Sequence, residues 1–273
     1  MIKDTFFSLP RFVNLCRKEM VESWKTNLLR IVLLYGLMAV IMLWNGYFEY
    51  KWDHSSSSDP MWTFLLGLFA WFLWGGGCLS ASFTMEKLKT KTSRISVLMT
   101  PATPFEKFFA RWFVFTVVFL VVLLITYKMA DYTRVVVYSL AYPGKSFITP
   151  VDLSHMVGDS DFYTLCDNNW QFGAFVTGYF FVQSLFVLGS TIWPKNSFLK
   201  TFAACALIVV VYTSVGAFLG KMFFQGKGYY NLWGDWTEEN IFCLLIIGCT
   251  LFTIVNWTIA YFRFKESEII NRM

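Results

Sequence analysis

The sequence predicts an all-α integral membrane protein with six transmembrane helices, and three observations lead there. Hydrophobic residues make up 56% of the 273-residue chain and charged residues only 15%, where a soluble domain carries about 25% charged residues. The mean hydropathy is +0.50. The charges are clustered, and the runs left between them reach the roughly 20 apolar residues that a helix needs to cross a bilayer. Nearly all the mass goes into these runs, so residues 1–273 read as one transmembrane domain with no large soluble domain beside it.

Taken in order, residues 1–27 read as an interfacial helix. Ser8 can cap it, Pro10 is tolerated in a first turn, and Phe12, Cys16, Met20 and Trp24 fall four apart as an apolar stripe. Arg11, Asn14, Lys18, Glu22 and Lys25 line the other side. Such a helix lies in the headgroup plane, with membrane lipids as its partner. The early charges rule out a cleavable signal peptide. The spans are expected at about 28–48, 61–83, 108–127, 172–193, 198–220 and 241–262. Gly75, Gly76 and Gly77 interrupt the second, as a close helix contact or a bend. A basic loop follows it, the polar segment 128–171 follows the third, and PKNS makes a tight turn after the fourth. Residues 221–240 are rich in aromatics, with Asp235 and Glu238 placed as a helix cap.

Lysine and arginine set the orientation. The N-terminus, the basic loop, the turn after span 4 and the C-terminal tail hold 17 of the 23, against six on the other side. The positive-inside rule then places both termini and the basic loop in the cytoplasm. The net charge of +5 is a matter of topology and does not point to nucleic acid.

The basic loop carries the most specific pattern. In Thr103-Pro104-Phe105-Glu106, Thr103 can accept from the Glu106 backbone, Glu106 can reach back to Thr103, and Pro104 needs no donor at the first helical position. Phe105, Phe108, Phe109 and Trp112 then share one apolar face, and Pro101 stiffens the approach. The result is a short, rigid helix joined directly to span 3, suited to transmit a push.

The string Ser96–Phe113, SVLMTPATPFEKFFARWF, resembles a motif of ABC-2 type permeases, the membrane subunits of bacterial ABC exporters. It keeps Pro101, Ala102, Thr103, Glu106, Lys107 and Phe108 and departs at Thr100 and Phe105. The resemblance extends to the layout of the whole chain: N-terminal amphipathic helix, six spans, basic loop after the second, aromatic outer segment before the sixth. It implies that a separate cytoplasmic ABC ATPase, carrying ATP and Mg, docks on a coupling helix formed by Thr103, Pro104, Phe105, Glu106, Lys107 and Phe108. It also implies a second permease subunit, identical or different, and re-entrant helices in residues 221–240. The chain itself would bind no cofactor and would not be an enzyme.

The absences agree. There is no G-x-x-x-x-G-K-[ST], no H-E-x-x-H and no G-x-S-x-G. His54 and His155 are the only histidines and sit in different outer segments, so no metal site is expected. The six cysteines show no CxxC spacing. Asn256-Trp257-Thr258 is a glycosylation pattern inside span 6 and so silent. The polar residues that stand out inside the spans, Asn45, Gln183, Ser184, Thr213, Ser214, Thr253 and Asn256, are all uncharged, which leaves a buried ion relay without an obvious carrier. Among the few polar span residues, Gln183 and Asn256 stand out as pathway or interface positions. The expectation is an ATP-driven exporter subunit, multi-pass in the bacterial cytoplasmic (inner) membrane. A non-transporting scaffold subunit of a membrane complex stays open as the alternative.

Overall fold

The computed structural model describes residues 6–51, 59–145, 147–158, 165–223 and 237–269. Among them the chain forms α1 (Leu9–Glu22), α2 (Trp24–Lys51), α3 (Trp62–Ser82), α4 (Lys91–Leu98), α5 (Pro104–Phe113), α6 (Phe119–Ala141), α7 (Asn169–Ile192), α8 (Ser197–Phe223) and α9 (Glu238–Ile269), with no strand. Six helical runs are long and apolar enough to cross a membrane, and each carries one of the expected spans. The protein is an all-α, multi-pass membrane protein. Its chain divides into two compact units, residues 1–80 with 101–172 and residues 81–100 with 173–273.

In the first unit α2 and α6 form the main pair. The Tyr35 hydroxyl meets Thr133 Oγ1 at 2.9 Å, and the Tyr138 hydroxyl donates to the Leu43 carbonyl. A Cβ at Gly46 would lie 2.6 Å from the Tyr138 ring, so glycine is what lets that ring approach. The third span therefore departs from its expected limits of 108–127. The helical run extends from Pro104 to Ala141, 38 residues or about 57 Å, against a hydrocarbon core of about 30 Å. Residues 128–141, expected to open the outer polar segment, instead stand beside α2. Lys128, Asp131 and Arg134 look like the end of a span in the sequence, but all three find partners on the helix's inner side.

Between α5 and α6 the run passes through a π turn, Val114–Val118. Such a turn loosens the regular ladder, and the Phe115 carbonyl accepts from the Ser80 hydroxyl on α3 at 2.7 Å. The three glycines of α3 do not break it. A Cβ at Gly76 would lie 3.0 Å from the Phe119 ring, so of the two roles open to this stretch, close approach is the one realised.

In the second unit, α7 and α8 make a tight hairpin. Asn196 turns it with φ of 56°, a conformation asparagine tolerates well. The ring of Phe186 stacks on Phe198 at 5.5 Å. A Cβ at Gly189 would sit 1.9 Å from Thr201 Oγ1. Against α9, Asn256 Nδ2 donates to Ser184 Oγ at 2.9 Å, and Phe181 meets Phe252 edge-on. From Ala206 to Phe218, α8 carries its side chains outward, as a helix facing lipid does. All six cysteines are free thiols. Residues 224–236, and with them most of the aromatic segment and Asp235 of the expected cap, lie outside the described residues, as does His54.

Candidate functional site

The capping box forms as its residue types require. Thr103 is the N-cap of α5, its hydroxyl accepts from the Glu106 amide at 3.3 Å, and Glu106 Oε2 accepts from the Thr103 amide at 3.2 Å. Pro104 occupies the first helical position. Glu106 then does more than the sequence foretells. Its other oxygen accepts from the Ser8 amide at 2.7 Å and from Arg11 Nη2 at 3.1 Å, and the Thr103 hydroxyl donates to the Phe6 carbonyl. The N-terminal segment thereby completes the start of α5.

A ladder of rings extends this contact. Phe105 stacks on Phe6 at 4.9 Å and on Phe109 at 5.6 Å, and Phe12 meets both Phe109 and Phe113. Further along, Arg111 gives Glu19 Oε1 two hydrogen bonds, at 3.2 and 3.3 Å. Helix α1 was expected to turn its Phe12–Cys16–Met20–Trp24 stripe to lipid, and that expectation needs correcting. Phe12 and Cys16 pack inward, whereas Met20 and Trp24 stay exposed together with Leu9 and Val13. The reason is a wide apolar arc on α1, of which α5 covers one side. Ser8 is placed as the N-cap but makes no side-chain cap hydrogen bond. Burial pushes the Cys16 thiol pKa up, and the nearby Glu19 carboxylate adds to the shift.

The six expected coupling residues are thus presented unequally. Glu106 is 0% exposed, Lys107 and Phe108 are also buried, and Thr103, Pro104 and Phe105 are half-buried. The loop's outward element is one the sequence reading missed, α4. Thr90 caps it by accepting from the Ser93 amide, and Arg94 donates to the Leu88 carbonyl at 3.0 Å, tying it to the preceding 3₁₀ turn. Ile95 is 55% and Met99 79% exposed, with Lys91 and Ser96 beside them. Thr90 followed by Ser93 was the available signal; the lysines around it read as topology markers alone.

A second cluster also escaped the sequence reading. Arg134 on α6 is 0% exposed and donates to Asp59 Oδ2, to Asp131 Oδ1 through two nitrogens, and to the Thr149 carbonyl, all at 2.8–3.0 Å, and also to the Tyr50 hydroxyl. Asp131 Oδ2 accepts from the Val151 amide, and Tyr50 donates to Asp59 at 2.8 Å. The third helical run, longer than expected, therefore carries buried charge. Asp131 and Arg134 lie on a helix packed along α2, and their spacing of three, one turn apart, was the legible hint. With every strong donor and acceptor engaged, the cluster is a clamp that fastens Lys145, Thr149 and Val151 to α2 and α6.

The two polar span positions part company. Asn256 is bonded to Ser184. Gln183, near the middle of α7, is 0% exposed, and neither Oε1 nor Nε2 finds a hydrogen-bond partner among the described residues. Each unpaired group of that kind costs about 1–3 kcal/mol. Among the described residues no group of three or more His, Cys, Asp or Glu side chains is placed to hold a metal ion. No protein family, curated protein or solved structure matches this chain.

Proposed function

We propose that this chain is the membrane subunit of an ATP-driven ABC-2 type exporter, working as a dimer with a separate cytoplasmic ABC ATPase in a bacterial cytoplasmic membrane, both termini inside. The observation that carries this reading is the capped, aromatic-locked start of a 38-residue helical run at Pro104. A capping box, a proline and a bonded N-terminal helix make a stiff end, and that end continues into the bilayer, which is what a transmitted push requires. The charge distribution puts this end on the lysine- and arginine-rich side. Contact with the ATPase falls on two surfaces, each taken by itself: the exposed Ile95 of α4 with Met99 just after it, and the half-buried edge of α5 at Thr103, Pro104 and Phe105. Glu106 holds α5 to α1. The cargo class is a lipid, glycan, peptide or drug-like molecule.

The test is co-expression with a candidate ABC ATPase followed by purification and ATPase assay. Ile95→Asp with Met99→Asp is expected to abolish co-purification while leaving the chain folded. If the pair left co-purification and coupled ATP hydrolysis intact, the docking surface would be wrong. A complex that assembles but shows no ATP-dependent transport would favour the scaffold reading.

A further inference from the structure

Polar side chains are costly in the middle of a membrane helix, where no water competes to satisfy them. Most of those in the second unit are accounted for. Thr177 bonds to the Gly173 carbonyl, Ser190 to Val187, Thr253 to Cys249, and Ser184 both donates to Phe181 and accepts from Asn256. The Ser197 and Thr201 hydroxyls near the α7–α8 turn have no partner among the described residues, and Gln183 is the larger case, with a donor and an acceptor both without a partner among the described residues at the centre of the buried face that Tyr179, Val187 and Ser190 share on α7. A leucine would fill the same volume without that penalty, so packing does not ask for an amide here. The apolar stretch 172–193 that holds Gln183 contains no charged residue.

We infer that Gln183 is a ligand contact for the transported molecule, taking a neutral group that both donates and accepts a hydrogen bond, a hydroxyl or an amide, as it passes the level of the Ser184–Asn256 pair. The inference rests on the transport reading and narrows its cargo. In this arrangement the amide is buried, and Ser184, the next residue on α7, is bonded to Asn256. One amide giving one hydrogen bond and receiving one matches a hydroxyl or a carboxamide, and matches neither an ammonium nor a carboxylate, each of which would leave one half of it unused.

The test needs no ATPase, so it can fail separately from the transport reading. The purified full chain in lipid nanodiscs is melted with nonane, nonanol, nonanamide or nonylammonium at equal membrane mole fraction. Nonanol and nonanamide are expected to raise the Tm of the unaltered chain above its value in nonane by a few degrees, and Gln183→Leu is expected to lose that difference. Gln183→Leu alone should melt about 4 °C or more higher, because the unsatisfied amide is gone. A lower Tm for Gln183→Leu would show a partner inside the chain and overturn the inference. Equal melting in nonane and nonanol, a difference that survives Gln183→Leu, or a preference for nonylammonium would overturn it as well.

Discussion

Replacing Arg134 with methionine should be the most damaging single change outside the apolar core. The guanidinium gives hydrogen bonds to Tyr50, Asp59, Asp131 and the Thr149 carbonyl, and no part of it reaches solvent. Methionine keeps most of the volume but leaves Asp59 and Asp131 buried without their cation. Breaking a buried pair from one side costs about 3–5 kcal/mol. At about 2–4 °C per kcal/mol for a chain of this size, the Tm in nanodiscs should fall by roughly 6–20 °C. The loss should be local at first, since the clamp holds Lys145 to the Tyr50 carbonyl and Val151 to Asp131. Trypsin should therefore cut at Lys145 well below the melting temperature. Combining Arg134→Met with Asp59→Asn and Asp131→Asn removes the stranded charges and should recover much of the loss. A Tm within about 2 °C of the unaltered chain for Arg134→Met alone, or a triple variant no better than the single one, would refute the reasoning.

Other changes probe the α1–α5 contact and the helix hairpin. With the other five cysteines replaced, Cys16 should react with iodoacetamide far more slowly at pH 7.5 than free cysteine, because burial and Glu19 keep its thiol protonated, and the rate should climb as the pH rises. Glu106→Ala strands the donors of Ser8, Thr103 and Arg11 and should cost about 2–4 kcal/mol. It should also speed Cys16 alkylation by tenfold or more, with Glu106→Gln intermediate; alkylation of the parent chain at the free-cysteine rate would contradict the docked position of α1. Gly189→Val should lower Tm by pushing its side chain into Thr201, with partial recovery on adding Thr201→Ala; additive losses in the double variant would argue against that contact.

Much of the fold could be read from apolar run length, because a bilayer leaves helices as the economical way to satisfy the backbone of such runs. The α5 cap was equally legible, since Thr103, Pro104 and Glu106 act within one turn and need nothing distant. What could not be read depended on pairing across the chain. Asp59 and Arg134 are 75 residues apart, so the sequence shows each only as a charge ending a span, and the third helical run was cut short at Lys128. The fate of Glu106 is similar: the box is local, but Ser8 and Arg11 arrive from almost 100 residues away. That Gln183 finds no partner among the described residues is invisible in principle to a sequence, since it is a statement about what is missing around it.

The central claim is that force from an ATPase enters this membrane protein through the outward face of its basic loop. The most direct measurement is cysteine cross-linking from Ile95→Cys, in a chain with its own cysteines replaced, to the ABC ATPase co-expressed with it in membranes. A cross-linked adduct of the two subunits, its yield changing between ATP-bound and nucleotide-free conditions, is the predicted result. Labelling of that cysteine by a membrane-impermeant thiol reagent from outside intact cells, with no adduct in either nucleotide state, would contradict the account.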